Sequence, residues 1–265
     1  MKKELRLFFT AMMFLTRLPV PRYTNHAPEY LEKCSKYFPL VGWPVAIISV
    51  VALAAGMYFF SAPLGVLLSI IAGILATGAF HEDGFADVCD AFGGGWTKEK
   101  ILEIMKDSRL GTYGVTGLVL MLGVKFSALL QLTQLYIFQQ GTADGVAKLT
   151  ALLLFAHSAS RLMPLIIIQI SQYVYADERS KVKPLASTRL SVLAFLFAVA
   201  CTLPPFFILP FSHLLLFLPM LLATLLLNRY FSKWIGGYTG DCLGAVQQVA
   251  EAGCYLTAIV LWKFI

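Results

Sequence analysis

Charge is scarce in this chain: 14% of its 265 residues are Asp, Glu, Lys or Arg, against 58% that are hydrophobic. That balance excludes an ordinary soluble domain and makes lipid the expected solvent. Metal-ligand cysteine pairs are absent as well. Cys34, Cys89, Cys201, Cys242 and Cys254 form no CxxC pair, so neither a zinc site nor a disulfide framework is expected, and the thiols should be reduced. No low-complexity linker and no internal repeat divides the chain, which reads as one domain, 1-265. The basic start lacks the small-residue cleavage site of a signal peptide, and Arg17 interrupts its short apolar run. The basic residues also lack the interleaved stacking aromatics of a nucleic-acid binder, so no nucleic acid is expected as a partner.

What is present is long apolar runs. A helix needs roughly 20 apolar residues to cross the hydrocarbon, and hydropathy places seven spans near Phe38 to Phe60, Ala62 to Phe80, Gly114 to Tyr136, Lys148 to Ile170, Leu190 to Leu209, His213 to Leu227 and Leu243 to Phe264. The expectation is an all-α, polytopic membrane bundle of about seven transmembrane helices. Pro204, Pro205 and Pro210 should kink or end the fifth span, and the sixth should extend beyond Leu227. Before the first span, Leu5, Phe8, Phe9, Met12 and Leu15 recur at helical spacing beside Lys2, Lys3 and Arg6. This suits an N-terminal helix lying at the membrane surface, with a plain core helix as the alternative.

The basic residues are one-sided. Of the 21 Lys and Arg, 17 fall in the N-terminal segment and the connections at 81-113, 171-189 and 228-242. Because Lys and Arg are retained in the cytoplasm, these parts read as cytoplasmic. In a bacterial inner membrane, the N-terminus would then be cytoplasmic and the C-terminus periplasmic.

The second span runs into His81-Glu82-Asp83-Gly84-Phe85-Ala86-Asp87-Val88-Cys89-Asp90, with four carboxylates between Glu82 and Asp90. On a helix, Asp83, Asp87 and Asp90 at i, i+4 and i+7 share one face, as hard oxygen donors for Mg²⁺ should. The bland alternative is a solvated acidic loop. Further on, Lys106-Asp107-Ser108-Arg109 and the glycines that follow offer cations and backbone amides to a phosphate, with Arg109 as the clamp. Asp107 is either a metal ligand or a helix cap. Gly93-Gly94-Gly95 lacks the trailing GK[ST] of a phosphate-binding loop and reads as a hinge or turn. Thr239-Gly240-Asp241 opens the last span, with a turn-forming Asp as the alternative. Glu251, two turns on, must face the protein interior. Arg161, one turn after His157, lies too deep to reach water fully and is expected to meet an anion or carboxylate. His157 is expected to be a hydrogen-bonded interior residue, and Lys125 is left open.

These motifs carry a resemblance. Phe14 to Pro21, Tyr37 to Gly42, His81 to Gly95, Ile104 to Gly114 and Gly236 to Ala245 are similar to the signatures of the adenosylcobinamide-GDP ribazoletransferase, or cobalamin (5′-phosphate) synthase, family across nearly the whole chain. His81, Asp83, Gly84, Asp87 and Asp90 match its H-x-DG-x-AD-x-x-D pattern. The resemblance implies attack of the hydroxyl of α-ribazole, or of its 5′-phosphate, on the diphosphate of adenosylcobinamide-GDP, with release of GMP and Mg²⁺ as cofactor. It also implies roles. Asp83, Asp87 and Asp90, with Glu82 beside them, would hold metal. Asp107 and Asp241 are candidates for metal binding or for deprotonating the acceptor, and His81 for a supporting hydrogen bond. Arg109, Ser108, Lys106, Arg161, Thr239 and Gly240 would bind substrate. Association with other cobalamin-assembly enzymes would hand over a scarce substrate.

Two other classes compete. A CDP-alcohol phosphotransferase or polyprenyl transferase also uses spaced aspartates and Mg²⁺, but the former shows Ala-Arg where Asp87 stands. A cation-coupled transporter would place its acids near mid-membrane, whereas Glu82, Asp83, Asp87, Asp90, Asp107 and Asp241 fall at one face here, leaving mainly Glu251 inside a span.

Overall fold

The computed structural model describes residues 2-22, 24, 27-139, 142-174 and 188-264. Most of the charged connection expected at 171-189, including Tyr175 to Ser187, lies outside the described residues. Among the described residues every regular element is helical, and an isolated bridge joins Tyr173 to Tyr238.

Helix α1 (Lys2–Leu15) buries Leu7, Ala11 and Leu15 against its neighbours and leaves Leu5 half exposed. The short α2 (Pro28–Cys34) packs on it and leads through a 3₁₀ turn into α3 (Phe38–Phe59). Proline in the first turn suits the starts of both α2 and α3, where the missing N–H has no intrahelical partner. Helix α4 (Ala62–Thr77) returns along α3. Gly78, in the left-handed region at φ 68°, stops it, and its N–H caps the last carbonyls. Ala79 is also left-handed, at φ 60°, a conformation that costs an L side chain about 1 kcal/mol. Together they turn α5 (Phe80–Gly94) by 91° from α4.

Helix α6 (Lys98–Met105) is capped by Thr97, whose hydroxyl accepts from the Lys100 N–H at 3.3 Å. Then come α7 (Thr112–Thr133), a π-helical turn to Gln139, and α8 (Thr142–Ile170). The central element is α8: 89% of its apolar stretch is buried, against 22% for α7. Buried Ala151, Ala156, Ser158, Ala159 and Ser160 let its neighbours come close. After α9 (Val192–Ala200) the chain passes through two 3₁₀ turns into α10 (Phe217–Ile235), capped by left-handed Gly236, and ends in α11 (Gly240–Phe264). Helix α11 packs on α5, α7, α8 and α10 and so joins the bent pair to the core.

Among the described residues four helices are long and apolar enough to cross a membrane, within Glu29–Phe59, Thr112–Ile137, Ala143–Ile170 and Phe211–Ile235, or five if the bent α4–α5 pair is one span. They match the first, third, fourth and sixth expected spans, and the sixth extends past Leu227 as expected. Seven apolar helices are not what the described residues form, and the physical reasons differ. Helix α4 has 16 residues, about 24 Å at 1.5 Å per residue and short of a roughly 30 Å hydrocarbon layer. Helix α9 has nine, because Pro204 and Pro205 remove donors just beyond it. The segment around it still descends beside α8: Gln169 reaches the Leu190 carbonyl at 3.3 Å, and Ser158, three turns down, reaches that of Cys201 at 3.2 Å. Helix α11 has 25 residues, ample length, but Gln247, Gln248 and Glu251 lower its hydropathy. Exposed Val51, Phe59, Leu120, Leu193, Phe207 and Leu218 cover the outside of the bundle, a coat that lipid rather than water stabilises.

Candidate active site

The bend at Gly78 and Ala79 lays the acidic helix across the ends of α7 and α11. Gly84 makes the approach to α11 possible: a Cβ there would lie 3.0 Å from the Cα and carbonyl oxygen of Asp241. Asp83 and Asp87, one turn apart on α5, thereby come beside Asp241 in the first turn of α11. Asp83 is exposed, while Asp87 and Asp241 are partly buried. Among the described residues neither the Asp83 nor the Asp87 carboxylate has a hydrogen bond or ion pair. Burial first, then the negative charges of Asp241, Asp83 and Asp90, push the Asp87 carboxyl up to about 7. Burial likewise raises Asp241 to about 6, with Asp83 adding to it. Like charges gathered without a counterion make a place where a cation is stabilised.

The other two carboxylates of the motif are turned elsewhere. Buried Asp90 accepts the Gly111 N–H at 2.7 Å and the Gly114 N–H at 2.8 Å, one on each oxygen. It thereby holds the start of α7, whose free N–H groups favour an anion. Glu82 turns inward and accepts from Gln248 Nε2 at 2.9 Å. Of the four carboxylates expected to hold metal, the structure thus brings Asp83 and Asp87 together and adds Asp241. Among the described residues no three His, Cys, Asp or Glu side chains are grouped as a ready metal cage.

Arg109 lies on the exposed loop between α6 and α7 and clamps Asp107, with Nη2 to Oδ2 at 2.6 Å. This pair, reinforced by the Arg109 N–H at 3.1 Å, draws the Asp107 carboxyl down to about 2. Asp107 is therefore an Arg109 partner and caps no helix in this arrangement. Lys106 and Ser108 are exposed on the same loop. Thr239 caps α11, accepting the Cys242 N–H at 3.3 Å, and its hydroxyl also faces Met105 Sδ at 3.1 Å. Gly240 lines an apolar cavity with Phe14, Phe38, Phe80, His81 and Arg161.

Beneath α5 lies a polar core. Lys125 Nζ meets Glu251 Oε1 at 2.9 Å, with both side chains buried, so Glu251 faces the interior as expected and Lys125 is its partner. Arg161 donates to the His157 carbonyl at 2.8 Å and lies 3.5 Å from its Nδ1, so His157 is a hydrogen-bonded interior residue as expected. Arg161, by contrast, expected to meet an anion or carboxylate, has no ion pair among the described residues, because the interior carboxylate Glu251 is taken by Lys125. Arg161 and His81 line both this polar cavity and the apolar one beside it. Hydropathy missed Gln247 and Gln248, which link Glu251 to Glu82. The available signal was two adjacent amides inside an otherwise apolar span. Arg17, read in the sequence only as a break in the apolar start and part of a family signature, packs against Gly78 at the bend, where a Cβ would strike its side chain.

The cobalamin-5-phosphate synthase family model matches residues 7–259. The chain is similar along its length to proteins named adenosylcobinamide-GDP ribazoletransferase. That of Shewanella frigidimarina is 40% identical over 259 residues, covering 98% of this chain and 96% of that protein. That of Leptospira interrogans is 39% identical over 278 residues, covering 100% and 99%, and that of Shewanella baltica is 42% identical over 260, covering 98% and 95%. No solved structure matches the chain.

Proposed function

The chain belongs to the cobalamin-5-phosphate synthase family, and on that premise we propose that Asp83, Asp87 and Asp241 form the reaction centre of a membrane-embedded, Mg²⁺-dependent adenosylcobinamide-GDP ribazoletransferase. Membership makes it a transferase of cobalamin synthesis acting at the final step of assembly. The observation that carries the residue assignment is the gathering of three carboxylates from two helices, of which Asp83 and Asp87 have no partner among the described residues.

The donor set fits Mg²⁺. This ion takes one or two carboxylates and completes its shell with water and substrate phosphate, so no ready cage is required. Bound there, it would neutralise charge on the diphosphate and on the departing nucleotide. The α-ribazole hydroxyl, or that of its 5′-phosphate, attacks the phosphorus that carries the cobinamide arm. A new P–O bond forms, the bond to the bridging oxygen breaks, and GMP leaves. Asp241, on a different helix from Asp83 and Asp87, takes the hydroxyl proton. Arg109 exchanges Asp107 for a diphosphate oxygen, helped by Lys106, Ser108 and the α7 N-terminus that Asp90 holds in place. His81 and Arg161 sit where the two cavities meet, below the reacting groups. The one-sided Lys and Arg support an inner-membrane protein whose site and N-terminus are cytoplasmic and whose C-terminus is periplasmic. A scarce, bulky donor favours association with the enzyme that makes it.

The test is turnover of the purified protein in detergent with adenosylcobinamide-GDP, α-ribazole and Mg²⁺, following cobalamin and GMP together. Equal formation of both, abolished by a chelator and by Asp83→Asn, is expected. Product formation unaffected by chelation would remove the metal from this reading.

A further inference from the structure

The buried charges of α7 and α11 are tied to the acidic helix by an unbroken chain of contacts. Lys125 Nζ lies 2.9 Å from Glu251 Oε1. The other Glu251 oxygen accepts from Gln247 Nε2 at 2.7 Å, and Gln247 Oε1 accepts from Gln248 Nε2 at 2.9 Å. The same Gln248 Nε2 donates to Glu82 Oε1 at 2.9 Å. Glu82 immediately precedes Asp83. The chain is anchored sideways as well, since Gln247 Nε2 also reaches Ser160 Oγ on α8 at 3.0 Å.

We infer that Glu82 and Gln248 are positioning residues, which lock the roll of α5 so that Asp83 and Asp87 face Asp241. The acidic helix is then pinned at three places: by Glu82 near its start, by Gly84 on the Asp241 backbone, and by Asp90 near its end. The two carboxylates that do not join the cluster are the two that hold the helix. A helix whose two clustered acids repel each other and Asp241 rolls away from it unless something resists, and a hydrogen bond to a charged group away from water is strong enough to do so. Lys125 and Glu251 serve as the far anchor because a paired charge inside the bundle has nowhere else to go.

The inference rests on the metal reading above only for what the cluster does, not for how α5 is held. The experiment therefore reads both. Cys89, on α5, is the one cysteine of the five that is not buried, and it lies against Gly117 of α7. Its alkylation rate reports the seating of α5 without any metal. Mn²⁺ binding, followed by electron paramagnetic resonance in the absence of substrate, reports the cluster. In Gln248→Glu, two carboxylates oppose each other at almost unchanged volume. Expected are Cys89 alkylation faster by about tenfold and Mn²⁺ affinity weaker by about tenfold. The swapped pair Glu82→Gln with Gln248→Glu restores the hydrogen bond with donor and acceptor exchanged and should return both values most of the way. If Gln248→Glu does not fold, the swapped pair alone carries the test: near-wild-type alkylation and Mn²⁺ binding support the lock, and loss of both overturns it. Unchanged alkylation and unchanged Mn²⁺ affinity in a folded Gln248→Glu protein would also overturn it. Changed alkylation in a wild-type background that binds no Mn²⁺ would sink the metal reading and leave the lock standing.

Discussion

Two groups of charged residues occupy opposite ends of one continuous polar path, and they are treated differently. In the interior, Lys125 and Glu251 pair at 2.9 Å with both side chains buried. At the end of the bundle, the Asp83 and Asp87 side chains have no partner among the described residues, although Asp241 brings a third carboxylate beside them. Inside a bilayer an unpaired charge costs several kcal/mol, so evolution of a stable fold pairs it. At the face, water screens the repulsion well enough for acids to stay unpaired until a ligand arrives. Pairing thus separates the groups that hold the fold from those that wait for substrate, and the transporter reading loses its main support because Glu251, the acid inside a span, is already paired with Lys125.

The largest expected effect breaks the interior side of this comparison. Glu251→Leu strands Lys125 and should destabilise the protein by about 3–5 kcal/mol, read as a drop in the denaturation midpoint in detergent. The double variant with Lys125→Met should recover most of it. A single variant as stable as the parent would mean that the pair does not hold the bundle. On the other side, Asp87→Asn should leave the midpoint nearly unchanged or raised, since it relieves repulsion, while turnover falls by about 10²–10³-fold, as loss of one key electrostatic group does. An Asn variant that kept full turnover would exclude Asp87 from the reaction centre.

Smaller effects sharpen the boundary between the two regions. Gly84→Ala places a Cβ 3.0 Å from the Asp241 backbone and should cost about 1–3 kcal/mol by overpacking, together with a loss of turnover from separating Asp87 and Asp241. A midpoint shift without any change in turnover would show that the separation of α5 and α11 is not critical. The smallest is electrostatic. Arg109 holds the Asp107 carboxyl at about 2, so Arg109→Ala should raise it toward 3.8, the ordinary value. Measured by NMR titration, Asp107 would then gain its proton at higher pH than in the parent. Because the pair is exposed, no measurable change in fold stability should accompany it. An Asp107 that still titrates near 2 would show that something other than Arg109 depresses it.

Much of this was legible in the residues. Long apolar runs announced helices because an unpaired backbone group cannot be left in lipid, and four of them appear where hydropathy placed them. The Asp83–Asp87 spacing placed both on one helical face. The seven-span count failed for local reasons that hydropathy cannot weigh. Gly78 and Ala79 turn the chain by 91°, Pro204 and Pro205 stop a helix early, and α11 carries amides that average out its apolar character. For Asp90 and Glu82, spacing showed only the helix they share. Whether a carboxylate faces a ligand or a backbone N–H depends on which helix lies beside it, and the partners here, Gly111 and Gln248, are 21 and 166 residues away.

By itself, then, the sequence determined the solvent, the helical class, the acidic motif and the family, since hydrophobicity, periodicity and motif spacing are local properties. The tertiary structure alone decided which acids gather and which are spent on holding helices. That depends on the 91° turn, on the close approach at Gly84 and on a hydrogen-bonded chain through α11, all of which join residues distant in sequence whose meeting no local pattern encodes.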